Sequence, residues 1–180
     1  MVYAPDSKSD ELNAHVGSTP TSGIKLVGQQ KRWQGLSLLL LAMILTLTAE
    51  QVTQLFAHAQ AVAPEECCGL LGGKAGQVTR VYSLPNVAAD AQRAYETAPA
   101  DLFAAQKTMR ERGEKLLGIY HSHPGQIEPQ PSATDVRLAF YPTAVYFIIG
   151  LGDAQPILRA FYLDADATSC ERIEYVVKAE

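Results

Sequence analysis

The run Leu116-Leu117-Gly118-Ile119-Tyr120-His121-Ser122-His123 constrains this chain more than any other stretch of it. It is short, apolar and β-branched in part, and residues 124–131 behind it hold three prolines. A run of this kind closed by breaker residues reads as a buried strand leading into a stiff loop. Side chains alternate along a strand, so His121 and His123 leave it on the same face, one pleat apart. Whatever the chain folds into must place two imidazoles side by side at the end of a sheet strand.

The flanking pattern supplies the rest of a mixed domain. Thr48-Ala49-Glu50-Gln51 predicts a helix start, Thr48 being the N-cap and Gln51 reaching back in a capping box. Val52, Leu55, Phe56, Ala59 and Ala63 then share one helical face until Pro64. Residues 67–71 predict a buried strand closed by Gly72-Gly73, joined through Lys74-Ala75-Gly76 to a neighbour at 77–84. A second helix is expected over 100–112, with Leu102, Ala105 and Met109 inward and Gly113 as terminator. Ser132 opens a short helix ending near Tyr141-Pro142. Strands follow at 144–151, 157–163 and 172–177, the last an edge strand with Ile173, Tyr175 and Val177 on one face. Helices mixed with a sheet give an α/β class, expected as a single mixed β-sheet with flanking helices.

The chain has 180 residues, enough for one domain and an appendage. Residues 1–42 are polar, with neither helical nor strand period, and are expected to be a disordered or over-extended N-terminal extension; the domain is then 43–180. The apolar run 38–45 is too short to cross a bilayer, which needs about 20 residues. Basic residues precede it, but no A-x-A cleavage site follows, so residues 43–47 are read as the first strand and not as part of a leader. A net charge of −4 without a basic block argues against nucleic acid as partner. Three cysteines, Cys67, Cys68 and Cys170, make no disulfide framework, so a reducing, cytoplasmic setting is expected.

Two histidines on one strand face can close on one metal ion, and Asp135 follows the proline loop. Two imidazoles and a carboxylate leave one tetrahedral position of zinc open for water, the arrangement of a hydrolytic site. Glu66, at the mouth of the first buried strand, is the candidate proton carrier, since partial desolvation there raises a carboxyl pKa. The plainer readings are a satisfied His pair, a capping box at Ser132-x-x-Asp135, and a solvated turn at Glu65-Glu66. The vicinal cysteines read as small buried hydrophobes, His58 as structural, and His15 as part of the extension.

Taken jointly, Glu66-Cys67-Cys68-Gly69-Leu70-Leu71, Gly118-Ile119-Tyr120-His121-Ser122-His123-Pro124 and Pro131-Ser132-Ala133-Thr134-Asp135 closely resemble the JAMM (MPN+) metallopeptidases, in particular their short stand-alone bacterial members. The resemblance implies the deaminase-like fold of that family and one Zn2+ per chain on His121, His123 and Asp135. It also implies Glu66 as the acid–base and Ser132 as donor to the oxyanion. The gap between His123 and Asp135 is one residue longer than the family's usual spacing, an insertion expected to bulge out at Gly125-Gln126-Ile127-Glu128.

The activity implied is zinc-dependent hydrolysis of a peptide or isopeptide bond after the C-terminal Gly-Gly of a ubiquitin-like sulfur-carrier protein. The alternative is a zinc-holding module that binds such a partner without cutting it. A zinc deaminase is disfavoured, because the chain has neither H-x-E nor P-C-x-x-C.

Overall fold

The computed structural model describes residues 44–179. The expected extension, its His15, Met43 and most of the apolar run 38–45 lie outside the described residues. Among the described residues, β1 (Thr46–Thr48) leads into α1 (Ala49–Val62), followed by β2 (Cys68–Lys74), β3 (Gln77–Leu84), α2 (Pro99–Glu111) and β4 (Lys115–His123). A one-turn helix, α3 (Ala133–Arg137), precedes β5 (Val145–Gly150), β6 (Ile157–Asp164), β7 (Ser169–Ile173) and β8 (Val176–Lys178). The strands form one mixed sheet in the order β7-β6-β5-β4-β2-β3-β1-β8. β4 runs antiparallel to β2 and parallel to β5, which puts the histidine strand at the sheet's centre.

The capping box predicted at Thr48 is present: Gln51 N donates to Thr48 Oγ1 (3.2 Å) and Thr48 N to Gln51 Oε1 (2.9 Å). Gln51 Nε2 also donates to Val78 O (3.0 Å), so the cap ties α1 to β3. Leu55 and Ala59 on this helix are fully buried, and a buried leucine contributes about 2 kcal/mol. Alternation along β4 splits the core in two. Ile119 faces Leu102 and Met109 of α2, whereas Tyr120 faces Leu55 and Ala59 of α1. His121 and His123 share the Ile119 face, the α2 side.

Three expectations need correction. β2 does not stop at Gly72-Gly73 but runs through both with a bulge. A Cβ on Gly73 would stand 2.1 Å from Gln77 O, so glycine here permits close pairing and does not end the strand. The helix opened by Ser132 stops at Arg137, because Leu138 leaves the helical region (φ −99°, ψ 16°); Tyr141 N donates to the Tyr146 hydroxyl (3.3 Å) instead. The single strand expected at 172–177 is two strands on opposite edges of the sheet. Only Glu174 and Tyr175 separate β7 from β8, a span of about 10 Å at most. The sheet therefore curls until its edges nearly meet around α1. Tyr175 fills the seam, edge-on to Phe147 (5.4 Å) and donating to Leu158 O (3.1 Å).

Candidate active site

Two chain segments meet at the C-terminal end of β4. His121 and His123 come from that strand, and Asp135 from the first turn of α3. The helix N-cap fixes the aspartate: Asp135 N donates to Ser132 Oγ (3.1 Å) and Ser132 N to Asp135 Oδ2 (2.6 Å). The capping box and the ligand reading thus coexist, since capping aims the carboxylate. His121 Nε2 lies 3.1 Å from His123 Nε2 and 3.4 Å from Asp135 Oδ1; His123 Nε2 lies 3.4 Å from Asp135 Oδ2.

These distances fit a metal ion. Around a tetrahedral zinc with bonds of about 2.0–2.1 Å, neighbouring ligand atoms stand about 3.3–3.4 Å apart. The donor set fits as well, because two imidazole nitrogens and a carboxylate are ligands that zinc takes. His121, His123 and Asp135 form a group that could hold a metal ion. Electrostatics point the same way. Although burial opposes it, the two imidazoles hold the Asp135 carboxyl far below the usual carboxylate range. Burial pushes His121 down, whereas the Asp135 carboxylate overcomes burial at His123 and raises it.

Glu66 sits just before β2 and is 6% exposed. Its backbone is gripped on both sides: Glu66 N donates to Ala91 O (2.7 Å), and Asn86 Nδ2 donates to Glu66 O (2.9 Å). Ser122, between the two histidines, locks the next residue, as Cys67 N donates to Ser122 Oγ (2.8 Å) and Ser122 N to Cys67 O (3.1 Å). The carboxylate itself accepts no hydrogen bond among the described residues. Desolvation therefore pushes its pKa up to about 7, with Asp135 and Asp90 adding to the rise and His123 opposing it.

Glu66, His123, Ser132 and Asp135 line one cavity of about 350 Å3, with Arg93 and Tyr95 on its wall. Ser132 is exposed to it, and because its oxygen accepts from Asp135 N, its own O–H proton remains free to donate. The one-residue-longer loop does point outward at Gly125 and Ile127, yet it is stitched down. Gly152 N donates to Gln126 O (2.9 Å), Gln130 N to Gln126 Oε1 (2.8 Å), and Arg159 pairs with Glu128 (3.0 Å).

The other residues singled out fall elsewhere. Cys67 and Cys68 are buried free thiols, and His58 Nδ1 meets the Tyr120 hydroxyl at 2.9 Å on the α1 side of the sheet. Asn86 and Tyr95 escaped the sequence reading. Asn86, following Pro85 at a strand end, has the turn chemistry that could have flagged it; nothing in the spacing marks Tyr95.

Residues 48–164 match the family described as prokaryotic homologues of the JAB domain. The chain belongs to that family. Among relatives of this JAB-domain chain is a desampylase of Haloferax volcanii, 37% identical over 110 residues, which cover 58% of this chain and 78% of that one. The CysO-cysteine peptidase of Mycobacterium tuberculosis is 32% identical over 135 residues, or 74% and 92%. Of solved structures, a protein from Desulfitobacterium hafniense superposes with a TM-score of 0.67 at 37% identity, covering 76% of this chain and 94% of that one. The mixed sheet with few helices is thus the JAB/MPN fold.

Proposed function

We propose that this JAB-family chain is a zinc-dependent peptidase that cuts after the C-terminal Gly-Gly of a ubiquitin-like sulfur-carrier protein, in peptide or isopeptide linkage. The observation that carries the reading is the meeting of His121, His123 and Asp135, with His123 and Asp135 lining one cavity together with an unpaired, desolvated Glu66. The relatives' names supply the substrate class, since a desampylase and a CysO-cysteine peptidase both release something from a ubiquitin-like carrier. A thin Gly-Gly tail also suits a cavity of this size.

His121, His123 and Asp135 would hold one zinc ion per chain. Bound there, zinc supplies Lewis acidity, polarising a carbonyl and making water a better acid. Glu66, poised near neutrality, takes the proton of the attacking water and passes it to the leaving amine. The Ser132 hydroxyl donates to the oxygen of the tetrahedral intermediate as charge develops there. Ser122 and Asn86 hold the backbone on either side of Glu66, so its carboxylate meets the water without reorganising.

The catalytic domain on this reading is residues 43–180, with 1–42 an extension the chemistry does not use. No helix of the described residues is long and apolar enough to cross a membrane, and we assign the chain to the cytoplasm, where its buried thiols stay reduced. The test is intact-mass spectrometry of a bacterial sulfur carrier extended beyond its Gly-Gly. The expected result is a mass loss ending at Gly-Gly that chelator abolishes and zinc restores. Tight carrier binding with no mass change at full zinc occupancy would sink the peptidase reading in favour of a binding module.

A further inference from the structure

The two imidazoles that face Asp135 share one feature: the Nδ1 of each is buried without a hydrogen-bond partner among the described residues. A metal-holding imidazole is ordinarily fixed in its plane by a hydrogen bond from its other ring nitrogen to a carboxylate, carbonyl or water. His121 is fully buried and aims Nε2 at His123 and Asp135. Its Nδ1 is buried without a hydrogen-bond partner among the described residues. What lies against the ring is Tyr95, stacked with centroids 4.5 Å apart and planes inclined by 24°.

Tyr95 is 7% exposed, and the chain on both sides of it is clamped. Asn86 Nδ2 donates to Ala94 O (2.9 Å), Glu96 N donates to Asn86 Oδ1 (3.0 Å), and Val87 N donates to Glu96 O (2.8 Å). The amide that holds this loop is also the one that donates to Glu66 O. One side chain therefore fixes both the strand end bearing the acid–base and the aromatic platform under the first histidine.

We infer that Tyr95 is a positioning residue of the site: its ring, clamped by Asn86, sets the plane of His121 by stacking, in place of the missing hydrogen bond. The inference rests on the reading of His121 as a metal ligand. Because it assigns the effect to the ring, the hydroxyl is dispensable for metal binding. Replacing the ring by an aliphatic chain frees His121 to rotate.

The experiment compares wild type, Tyr95→Phe, Tyr95→Leu and the control Met109→Ala, a core change in the same apolar cluster, packed at Gly72 of β2. Zinc dissociation constants are measured by competition with a chromophoric chelator, well below the melting temperature that each metal-free protein shows. The visible spectrum of the Co2+ form reports ligand geometry. Tyr95→Phe should bind zinc within about threefold of wild type and keep its Co2+ spectrum. Tyr95→Leu should bind about 10–100-fold more weakly, the range for losing an orienting partner, with altered Co2+ bands. Met109→Ala should melt lower yet bind zinc normally.

Unchanged affinity in Tyr95→Leu, or an equal loss in Met109→Ala, overturns the inference. So does a full loss in Tyr95→Phe, a variant that keeps the packing and decides the matter even where Tyr95→Leu does not fold. Wild-type protein that binds no zinc overturns the metal reading along with it.

Discussion

Glu66 and Glu114 are both buried acids, 6% and 7% exposed, and their surroundings drive them in opposite directions. Glu114 accepts from Tyr82 Oη (2.6 Å), Thr79 Oγ1 (3.0 Å) and Arg112 Nε (2.9 Å). Burial opposes its ionisation, but those donors hold its pKa below the ordinary value. Glu66 has no such donors and is raised to about 7. For Glu66 the folded pKa exceeds the unfolded one, so the folded state favours the protonated acid. Stability is then intact below about pH 4.5 and falls as pH rises to about 7, by ~3 kcal/mol in all. Metal-free Glu66→Gln should accordingly be more stable than wild type at pH 8, by about 1–3 kcal/mol, and lose that advantage near pH 4.5. Glu114→Gln should instead cost about 1–3 kcal/mol at neutral pH by leaving donors poorly matched. Urea titrations in chelator check both, and a like sign for the two variants would contradict this account. The distinction was not legible in the sequence. Glu66 could be picked out by its place before a buried strand, but whether an acid has donors depends on residues far away in the chain.

At the level of elements, the short-range signals were readable and the long-range ones were not. Thr48 with Gln51, and Ser132 with Asp135, close their boxes within three residues, so both helix starts could be read directly. The period-two placement of His121 and His123 was equally local. Gly72-Gly73 misled because a glycine that ends a strand and one that permits a close neighbour look the same without the neighbour. Likewise, nothing in residues 172–177 reveals that Ile173 pairs with β6 and Val176 with β1. The docking of the proline loop makes a prediction at this scale. A Cβ on Gly150, at the end of β5, would stand 2.5 Å from Gln126 O and 3.0 Å from Ile127 O, both backbone atoms. Gly150→Ala should therefore destabilise the protein by about 1–3 kcal/mol through overpacking. It should also lower kcat/KM at full zinc occupancy, because the displaced loop begins at His123. Denaturant unfolding and steady-state kinetics on one preparation would check it. Unchanged stability would mean that the loop is not seated on β5.

At the scale of the whole molecule, Glu66, His123, Asp135 and Ser132, the residues proposed for base, metal ligands and oxyanion donor, line one cavity, and the proposed activity should carry its signature. With Glu66 needed as a carboxylate and burial raising its pKa, kcat/KM should fall about tenfold per pH unit on the acid side and level off above it. A rate that stays flat down to pH 4 would contradict both the base and histidine ligation, since protonated imidazoles cannot hold a metal. The family and the candidate residues were readable from three short blocks, because this chemistry needs its groups at ends of elements that local sequence specifies. The platform under His121 was not, because Asn86 holds Tyr95's loop by bonds eight to ten residues along the chain and only the fold brings that loop against β4. The measurement closest to the central claim is zinc content and kcat/KM determined together for wild type and Glu66→Gln. One zinc per chain in both, with kcat/KM lower by about 10²–10⁴ in the variant, is the predicted result. Equal turnover at equal zinc content would contradict it.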